Sequence, residues 1–212
     1  MSVEAKICGL TTAETLDAAI EGGARFVGFN TYPPSPRYLA SNEVLKALGA
    51  RVPKGVIRVG LFVDAADALI DERLATGAID VLQLHGSETP ERIAAIRART
   101  GKPVMKVINV GAASDIEHGI ATYGVVADQL MFDTAGGKLP GGNARAFDWT
   151  LMSGRKVPLP WLLAGGLTPD NVAEAVRVTG AHVVDVSSGV ESSRGVKSVE
   201  LIRAFLDRVK AL

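Results

Sequence analysis

Cys8 is the only cysteine in the chain, and it closes a short apolar run just before Gly9. A single cysteine has no partner for an internal disulfide, so packing, metal binding and reactivity remain as its uses. Lys6 lies two residues earlier and points to the same side of a strand, where its charge would lower the pKa of the thiol and favour the reactive thiolate. The competing interpretation is a small buried apolar residue, the commoner fate of a lone cysteine.

Asp133 is an acidic residue at the end of another apolar run, 129–132. Burial beside Met131 and Phe132 would raise the pKa of its carboxyl group, which suits a general acid or base near neutral pH. A helix cap or a turn would equally explain an aspartate here. His85 closes the run 82–84 and is a candidate base, although a histidine at a strand end often only bonds to nearby backbone.

Two turns that contain glycine could hold an anion. Gly165 and Gly166 lie between an apolar run and a helix start, while Ser187, Ser188 and Gly189 follow the next apolar run. Glycine lets backbone N–H groups approach an anion, and the N-terminus of a helix adds a favourable dipole. Either turn alone would be unremarkable. Together they predict a small-molecule ligand that carries a phosphate.

Arg37 belongs to a loop that contains three prolines, Pro33, Pro34 and Pro36. Proline restricts the backbone, and a guanidinium held in place can bind a carboxylate through two hydrogen bonds. The alternative is an arginine on the surface of a proline-rich loop.

These residues need a scaffold, and the sequence indicates one. Eight β-rich segments alternate with helical patterns at a spacing of roughly 25 residues, which predicts an α/β fold with a single (β/α)8, or TIM, barrel over residues 1–212. In this fold the active site lies at the ends of the strands. A doubly wound open sheet, which usually has fewer strands, is the alternative. The predicted strands are 3–8, 25–30, 56–63, 79–85, 103–108, 129–133, 161–164 and 183–187.

Helix starts show hydroxyl residues that can cap the first turn, namely Thr12, Ser41, Thr89 and Thr168, and the last two precede proline. The final helix is predicted over 199–209, with its apolar residues on one face.

Composition limits the kinds of partner. Lys plus Arg and Asp plus Glu each number 23, so the formal net charge is zero and nothing indicates nucleic-acid binding. No apolar segment is long enough to span a membrane, the N-terminus lacks a signal-peptide pattern, and one cysteine suits a reducing compartment. We therefore expect a cytoplasmic protein. No cluster with ligand spacing predicts a metal, and no nucleotide-binding glycine motif follows the first strand.

The motifs, taken in order, resemble the phosphoribosylanthranilate isomerases of tryptophan biosynthesis. Each motif is short, but together they run from the first strand to the last. The matching stretches are 6–11, 28–29 with 35–38, 59–64, 82–86, 132–134, 147–149, 163–167, 171–172 and 184–191.

The resemblance implies an Amadori rearrangement of phosphoribosylanthranilate without a cofactor. Asp133 would protonate the furanose ring oxygen, and Cys8 as thiolate would remove the C2 proton. Arg37 would bind the anthranilate carboxylate. The phosphate would lie against backbone N–H groups near Gly165, Gly166, Ser188 and Gly189, with Ser187 in the same turn.

Lys6 and Asp185 each lie two residues before a residue expected to face the pocket, on strands that are neighbours in a closed barrel. We predict that they form an ion pair beneath Cys8. His85 is expected to support the same site.

Three positions depart from the family pattern. The loop 141–147 lacks a glycine and a hydroxyl that the family usually shows, which bears on its flexibility and substrate contacts. Ser198 replaces an aspartate and can serve as a helix cap in its place. Asn30 stands where an apolar residue is common and is expected to alter the pocket wall.

Two other functions compete with the isomerase. Another phosphosugar aldose–ketose isomerase on the same barrel, such as that of the histidine pathway, would need aspartates at the ends of strands one and five, where Cys8 and Ile108 stand. A non-enzymatic sensor would bind a phosphorylated ligand without turnover. The sequence leaves the oligomeric state open between a monomer and a homodimer.

Overall fold

The computed structural model describes residues 2–135 and 146–212. Eight parallel strands pair in chain order, and the last pairs with the first, so the sheet closes into a barrel. This closure confirms the predicted (β/α)8 barrel and excludes the open sheet. The strands are β1 (Glu4–Cys8), β2 (Phe26–Asn30), β3 (Ile57–Phe62), β4 (Val81–Leu84), β5 (Val104–Val110), β6 (Gln129–Thr134), β7 (Trp161–Leu163) and β8 (Val183–Val186).

Helices connect the strands around the outside of the barrel. Between β6 and β7 the described residues form a 3-10 helix, Trp149–Met152, so the predicted strand–helix repeat has a shorter element at its sixth unit. A small hairpin of β9 (Glu191–Ser193) and β10 (Val196–Lys197) follows β8. The α-helices are α1 (Ala13–Glu21), α2 (Asn42–Arg51), α3 (Asp67–Leu74), α4 (Pro90–Thr100), α5 (Ala113–Tyr123), α6 (Val172–Thr179) and α7 (Val199–Lys210).

Three of the predicted helix caps are confirmed, because Thr12, Ser41 and Thr89 each accept a hydrogen bond from the backbone N–H three residues later. The fourth is wrong, since α6 begins at Val172 and not behind Thr168. The side chain of Asn171 explains the delay: it accepts from the N–H of Thr168 at 2.8 Å and donates to the carbonyl of Gly166 at 2.9 Å. A turn therefore precedes the helix.

The strands carry two apolar layers because successive side chains point to opposite faces. One layer packs under the helices, where the ring of Phe132 meets that of Trp161 edge-on at 5.7 Å. The other fills the barrel. Its buried members are Phe26, Val59, Val81, Met105, Val107, Met131, Leu162 and Ala164.

Lys106 lies within β5, which continues to Val110, two residues beyond the predicted end of this strand at 108. Val107 faces the barrel interior, so Lys106 points outward, and its Nζ donates to Glu88 at 2.7 Å and to the carbonyl of Gly86 at 2.6 Å. This buried pair supports the barrel wall from outside. None of the helices in the described ranges is long and apolar enough to cross a membrane.

Candidate active site

Cys8 is the last residue of β1, and its side chain is buried. Beneath it, Lys6 Nζ donates to Asp185 Oδ1 at 2.7 Å, and the two residues are register partners on β1 and β8. The predicted ion pair is therefore confirmed. Gly28 on β2 makes room for this group, because a Cβ there would lie 3.1 Å from the sulfur of Cys8 and 3.3 Å from Lys6 Nζ.

Burial and charge act in opposite directions on the thiol. Burial raises the pKa of Cys8 by more than the positive charge of Lys6 lowers it, so the net shift is upward. Lys6 thus lowers the pKa of the thiol as expected, but burial outweighs its effect, and Asp185, which pairs with Lys6, also disfavours a thiolate. Burial also opposes the charge on Lys6, but its partners, chiefly Asp185, outweigh this effect and raise the pKa of the amine. The free protein thus holds a neutral thiol above a charged pair.

Lys6→Met should destabilise the barrel by about 3–5 kcal/mol, because it leaves the carboxylate of Asp185 buried without its partner. Urea denaturation at pH 7 would measure this loss. The double variant Lys6→Met with Asp185→Asn removes both charges and should recover part of the stability. A single variant as stable as the wild type would show that Asp185 carries no charge in the fold.

Asp133 lies near the end of β6 with its carboxyl group buried. Burial raises its pKa to about 7, although the N–H of Thr134, which donates to Oδ1 at 2.8 Å, acts in the opposite direction. The upward shift of the pKa agrees with the expected effect of burial on this acid. Met131 lines the barrel on the same side, whereas Phe132 faces the helices.

His85, just after β4, is brought next to this acid. Its Nε2 lies 3.5 Å from Asp133 Oδ2. Burial, with smaller effects from the charges of Lys106 and Lys6, lowers the pKa of His85 to about 3, so the ring is neutral. A neutral imidazole can donate or accept a hydrogen bond but adds no charge to the site. His85 therefore lies where a supporting residue was expected.

The two glycine-containing turns are adjacent in the fold. Gly165 and Gly166 both have positive φ, at 89° and 63°. Gly189 packs directly on the carbonyl of Leu167, and any side chain there would collide with it. Ser187 ties the second turn to β1, because its hydroxyl donates to the carbonyl of Cys8 at 3.2 Å.

The same turns present free backbone donors. Within residues 2–135 and 146–212, no acceptor meets the backbone N–H groups of Gly165, Gly166, Ser188 and Gly189. Four unpaired N–H groups on adjacent turns are suited to the oxygens of a phosphate.

Gly189→Ala should cost about 1–3 kcal/mol of stability through overpacking and should weaken binding of inorganic phosphate. The matched control is Gly111→Ala, since a Cβ at Gly111 would lie 3.4 Å from its nearest neighbour, an ordinary contact. Urea denaturation and phosphate titration would compare the two. Equal stability and phosphate affinity in both variants would contradict the close approach of the two turns.

Arg37 reaches the barrel mouth across Gly9. A Cβ at Gly9, whose φ is 78°, would lie 2.7 Å from Cδ of Arg37, so the arginine stem rests on this glycine. The guanidinium is held on one edge by Glu191: Nε donates to Oε1 at 2.5 Å and Nη2 donates to Oε2 at 2.8 Å. Arg37 is therefore fixed at the mouth and is not a surface residue.

Glu191 and Lys197 are site residues that the sequence reasoning did not single out. They face each other across the β9–β10 hairpin, where Lys197 Nζ donates to Glu191 Oε1 at 2.8 Å and to the carbonyl of Ser187 at 2.8 Å. Burial opposes the charge on Glu191, but Arg37 and Lys197 outweigh it and lower its pKa to about 2. Glu191 ends the matching stretch 184–191, which was the available signal, whereas Lys197 lies outside the matching stretches, next to the departure at Ser198.

The three departures from the family pattern have different outcomes. Residues 141–145 of the altered loop lie outside the described residues. Ser198 caps α7 by accepting from the N–H of Leu201 at 3.2 Å, as predicted. Asn30 is buried, and its side chain accepts from the N–H of Tyr32 at 2.9 Å, so it shapes the loop that leads to Arg37.

The family model described as N-(5'-phosphoribosyl)anthranilate (PRA) isomerase matches residues 5–208. The chain belongs to the PRA isomerase family. This confirms the resemblance seen in the motifs, and the match covers every strand of the barrel except the first residue of β1.

Individual PRA isomerases are similar to this chain over nearly the whole length of both proteins. The protein from Paracoccus denitrificans is 53% identical, and the alignment covers 100% of this chain and 99% of that protein. The crystal structure of the Thermotoga maritima PRA isomerase has a TM-score of 0.89 at 34% identity, covering 99% of this chain and 100% of that one. A further PRA isomerase structure, with a TM-score of 0.84 at 33% identity and coverage of 99% and 100%, holds reduced 1-(o-carboxyphenylamino)-1-deoxyribulose 5-phosphate.

Proposed function

We propose that this chain catalyses the Amadori rearrangement of N-(5'-phosphoribosyl)anthranilate to 1-(2-carboxyphenylamino)-1-deoxyribulose 5-phosphate, a step of tryptophan biosynthesis. The observation that carries the proposal is the family match over residues 5–208. The site supports it, because a protonated acid, a thiol and two anion-binding elements meet at one end of the barrel. The reaction uses no cofactor, and the whole chain acts as one domain in the cytoplasm.

Asp133 acts first, as the general acid. Its raised pKa, about 7, keeps a large share of the carboxyl groups protonated at neutral pH. Transfer of that proton to the furanose ring oxygen breaks the bond between this oxygen and C1. The nitrogen lone pair then forms the iminium, which is the Schiff base of the open chain. His85, neutral and 3.5 Å from the carboxyl group, supports the acid without competing for its proton.

Cys8 acts second, as the base that removes the proton from C2. The iminium acidifies that carbon and adds a positive charge next to the sulfur. An adjacent opposite charge favours the thiolate, so the open-chain intermediate lowers the barrier that burial imposes on the free thiol. The resulting enolamine tautomerises to the aminoketose product.

The two ends of the substrate match the two anion-binding elements. Arg37 binds the anthranilate carboxylate with the guanidinium edge that Glu191 leaves free. The phosphate lies against the N–H groups of Gly165, Gly166, Ser188 and Gly189. With both ends held in this way, the ribose would lie between Asp133 and Cys8.

The direct test follows the fluorescence of the anthranilate-linked substrate, which should fall on addition of the purified protein. Expression in a host that lacks this isomerase should restore growth without tryptophan. No fluorescence change and no growth would refute the activity. Turnover of the aminoimidazole substrate of the histidine pathway would instead revive the competing isomerase, although the end of β5 carries Asn109 and no aspartate. Binding without turnover would favour the sensor.

A further inference from the structure

Lys197 is a buried charge for which the proposed mechanism has no use. Its side chain is only 1% exposed, and it reaches the barrel mouth from β10. Desolvation of an amine is costly, so its position needs a partner or a purpose. Three contacts define it: Nζ donates to Glu191 Oε1 at 2.8 Å, to the carbonyl of Ser187 at 2.8 Å and to the Ser187 hydroxyl at 3.3 Å.

Glu191 is the centre of this cluster, and its carboxylate is saturated. Oε1 accepts from Arg37 Nε and Lys197 Nζ, while Oε2 accepts from Arg37 Nη2 and the N–H of Gly195. An ionised carboxylate has about four acceptor positions, so all are used. Glu191 therefore cannot turn away to leave Arg37 free for a ligand.

Lys197 determines the net charge of the cluster that it forms with Arg37 and Glu191. The pair of Arg37 and Glu191 sums to zero, and a neutral pair attracts a carboxylate weakly. Lys197 adds one positive charge to the same cluster, so the three residues together carry a net charge of +1. That charge equals and opposes the single charge of a carboxylate. Lys6 does not supply this positive charge, because it is already paired with Asp185.

The N–H donors of Arg37 that Glu191 does not use are where a ligand carboxylate can bind. A guanidinium has five N–H donors in a fixed plane, and Glu191 takes two of those on Arg37. In the part of the chain that the structure describes, Nη1 donates to no protein group. A ligand carboxylate can therefore bind the free edge while Glu191 holds the other.

We propose that Lys197 is a specificity-determining residue, which keeps the Arg37–Glu191 pair cationic and fixed so that the site selects a substrate with a carboxylate on its aromatic ring. This inference rests on the proposed function, because that function supplies the carboxylate. It assigns Lys197 a positioning and charge role, not a direct part in proton transfer.

The test compares two ligands across variants by calorimetry. One is reduced 1-(o-carboxyphenylamino)-1-deoxyribulose 5-phosphate, and the other is its phenylamino counterpart without the carboxyl group. In Lys197→Met the preference for the carboxylate ligand should fall about tenfold, the scale of one lost hydrogen-bonded charge. Lys197→Arg should retain the preference. Lys106→Met is the matched control, since it breaks another buried Lys–Glu pair outside the barrel and should leave the ratio unchanged.

A structural role alone would weaken both ligands equally, and so would a role in phosphate binding, because both ligands carry the phosphate. Either result would overturn the inference. If the methionine variant does not fold, Lys197→Gln keeps a donor for Ser187 without the charge and should show the same fall. A wild type that turns over the substrate while Lys197→Met keeps its full preference refutes only the role of Lys197. A wild type without turnover refutes the proposed function itself.

Discussion

Asp133→Asn is expected to lower kcat about a hundredfold or more, since a positioned general acid typically contributes 10²–10⁴-fold. Asparagine keeps the size of the side chain but has no proton to give to the ring oxygen. Substrate binding should change little, because Arg37 and the two turns are the groups proposed to hold the ends of the substrate. Steady-state fluorescence kinetics would therefore show a loss in kcat with KM largely retained.

The control for this variant is Asp207→Asn, an aspartate exposed on the surface of α7. It should leave kcat unchanged. Thermal unfolding must show that Asp133→Asn folds, and it should be at least as stable as the wild type, because it removes a buried carboxyl group whose charge is disfavoured. An Asp133→Asn variant with wild-type kcat would mean that another group protonates the ring oxygen.

The barrel could be predicted because its signals are local. Alternating strands and helices, hydroxyl caps such as Ser41 and the apolar face of α7 each depend on neighbouring residues only. The pairing of Lys6 with Asp185 was also predictable, since parallel register and strand order determine which residues face each other across β1 and β8. The start of α6 was not, because the Asn171 side chain competes with Thr168 for the first turn.

The electrostatics of the site could be predicted only in part. The raised pKa of Asp133 follows chiefly from burial, and the direction of this shift could be predicted from the apolar residues before it. For Cys8, burial raises the pKa of the thiol while the charge of Lys6 lowers it. The sequence alone does not give the balance of these two effects, because it depends on the depth of burial and on the pairing of Lys6 with Asp185. The contact of Arg37 with Glu191 spans 154 positions and depends on a two-strand hairpin, for which the sequence had no local signal. Long-range polar contacts of this kind need the fold before they can be seen.

Cys8→Ala should reduce kcat by about a hundredfold or more, because the variant lacks the base proposed to remove the C2 proton. Cys8→Ser is the informative companion, since a hydroxyl keeps the volume but ionises far less readily than a thiol. Both variants should fold, because they remove or replace one small buried atom. Loss of activity in both, with the reduced product analogue still bound in calorimetry, would separate the base from binding. Full turnover by Cys8→Ala would refute the role assigned to the thiol.

The pH dependence of kcat/KM offers a second test of the roles proposed for Asp133 and Cys8. The proposed mechanism requires Asp133 protonated and Cys8 ionised, yet the pKa of the acid, about 7, lies below the raised pKa of the thiol. As pH rises toward 7, more Cys8 ionises while Asp133 stays protonated, so kcat/KM increases. Between the two pKa values the gain in thiolate cancels the loss of acid, and kcat/KM is flat. It falls only above the pKa of the thiol. In Asp133→Asn the lower bend at about pH 7 should disappear from the residual activity, whereas a bend retained there would assign it to another group.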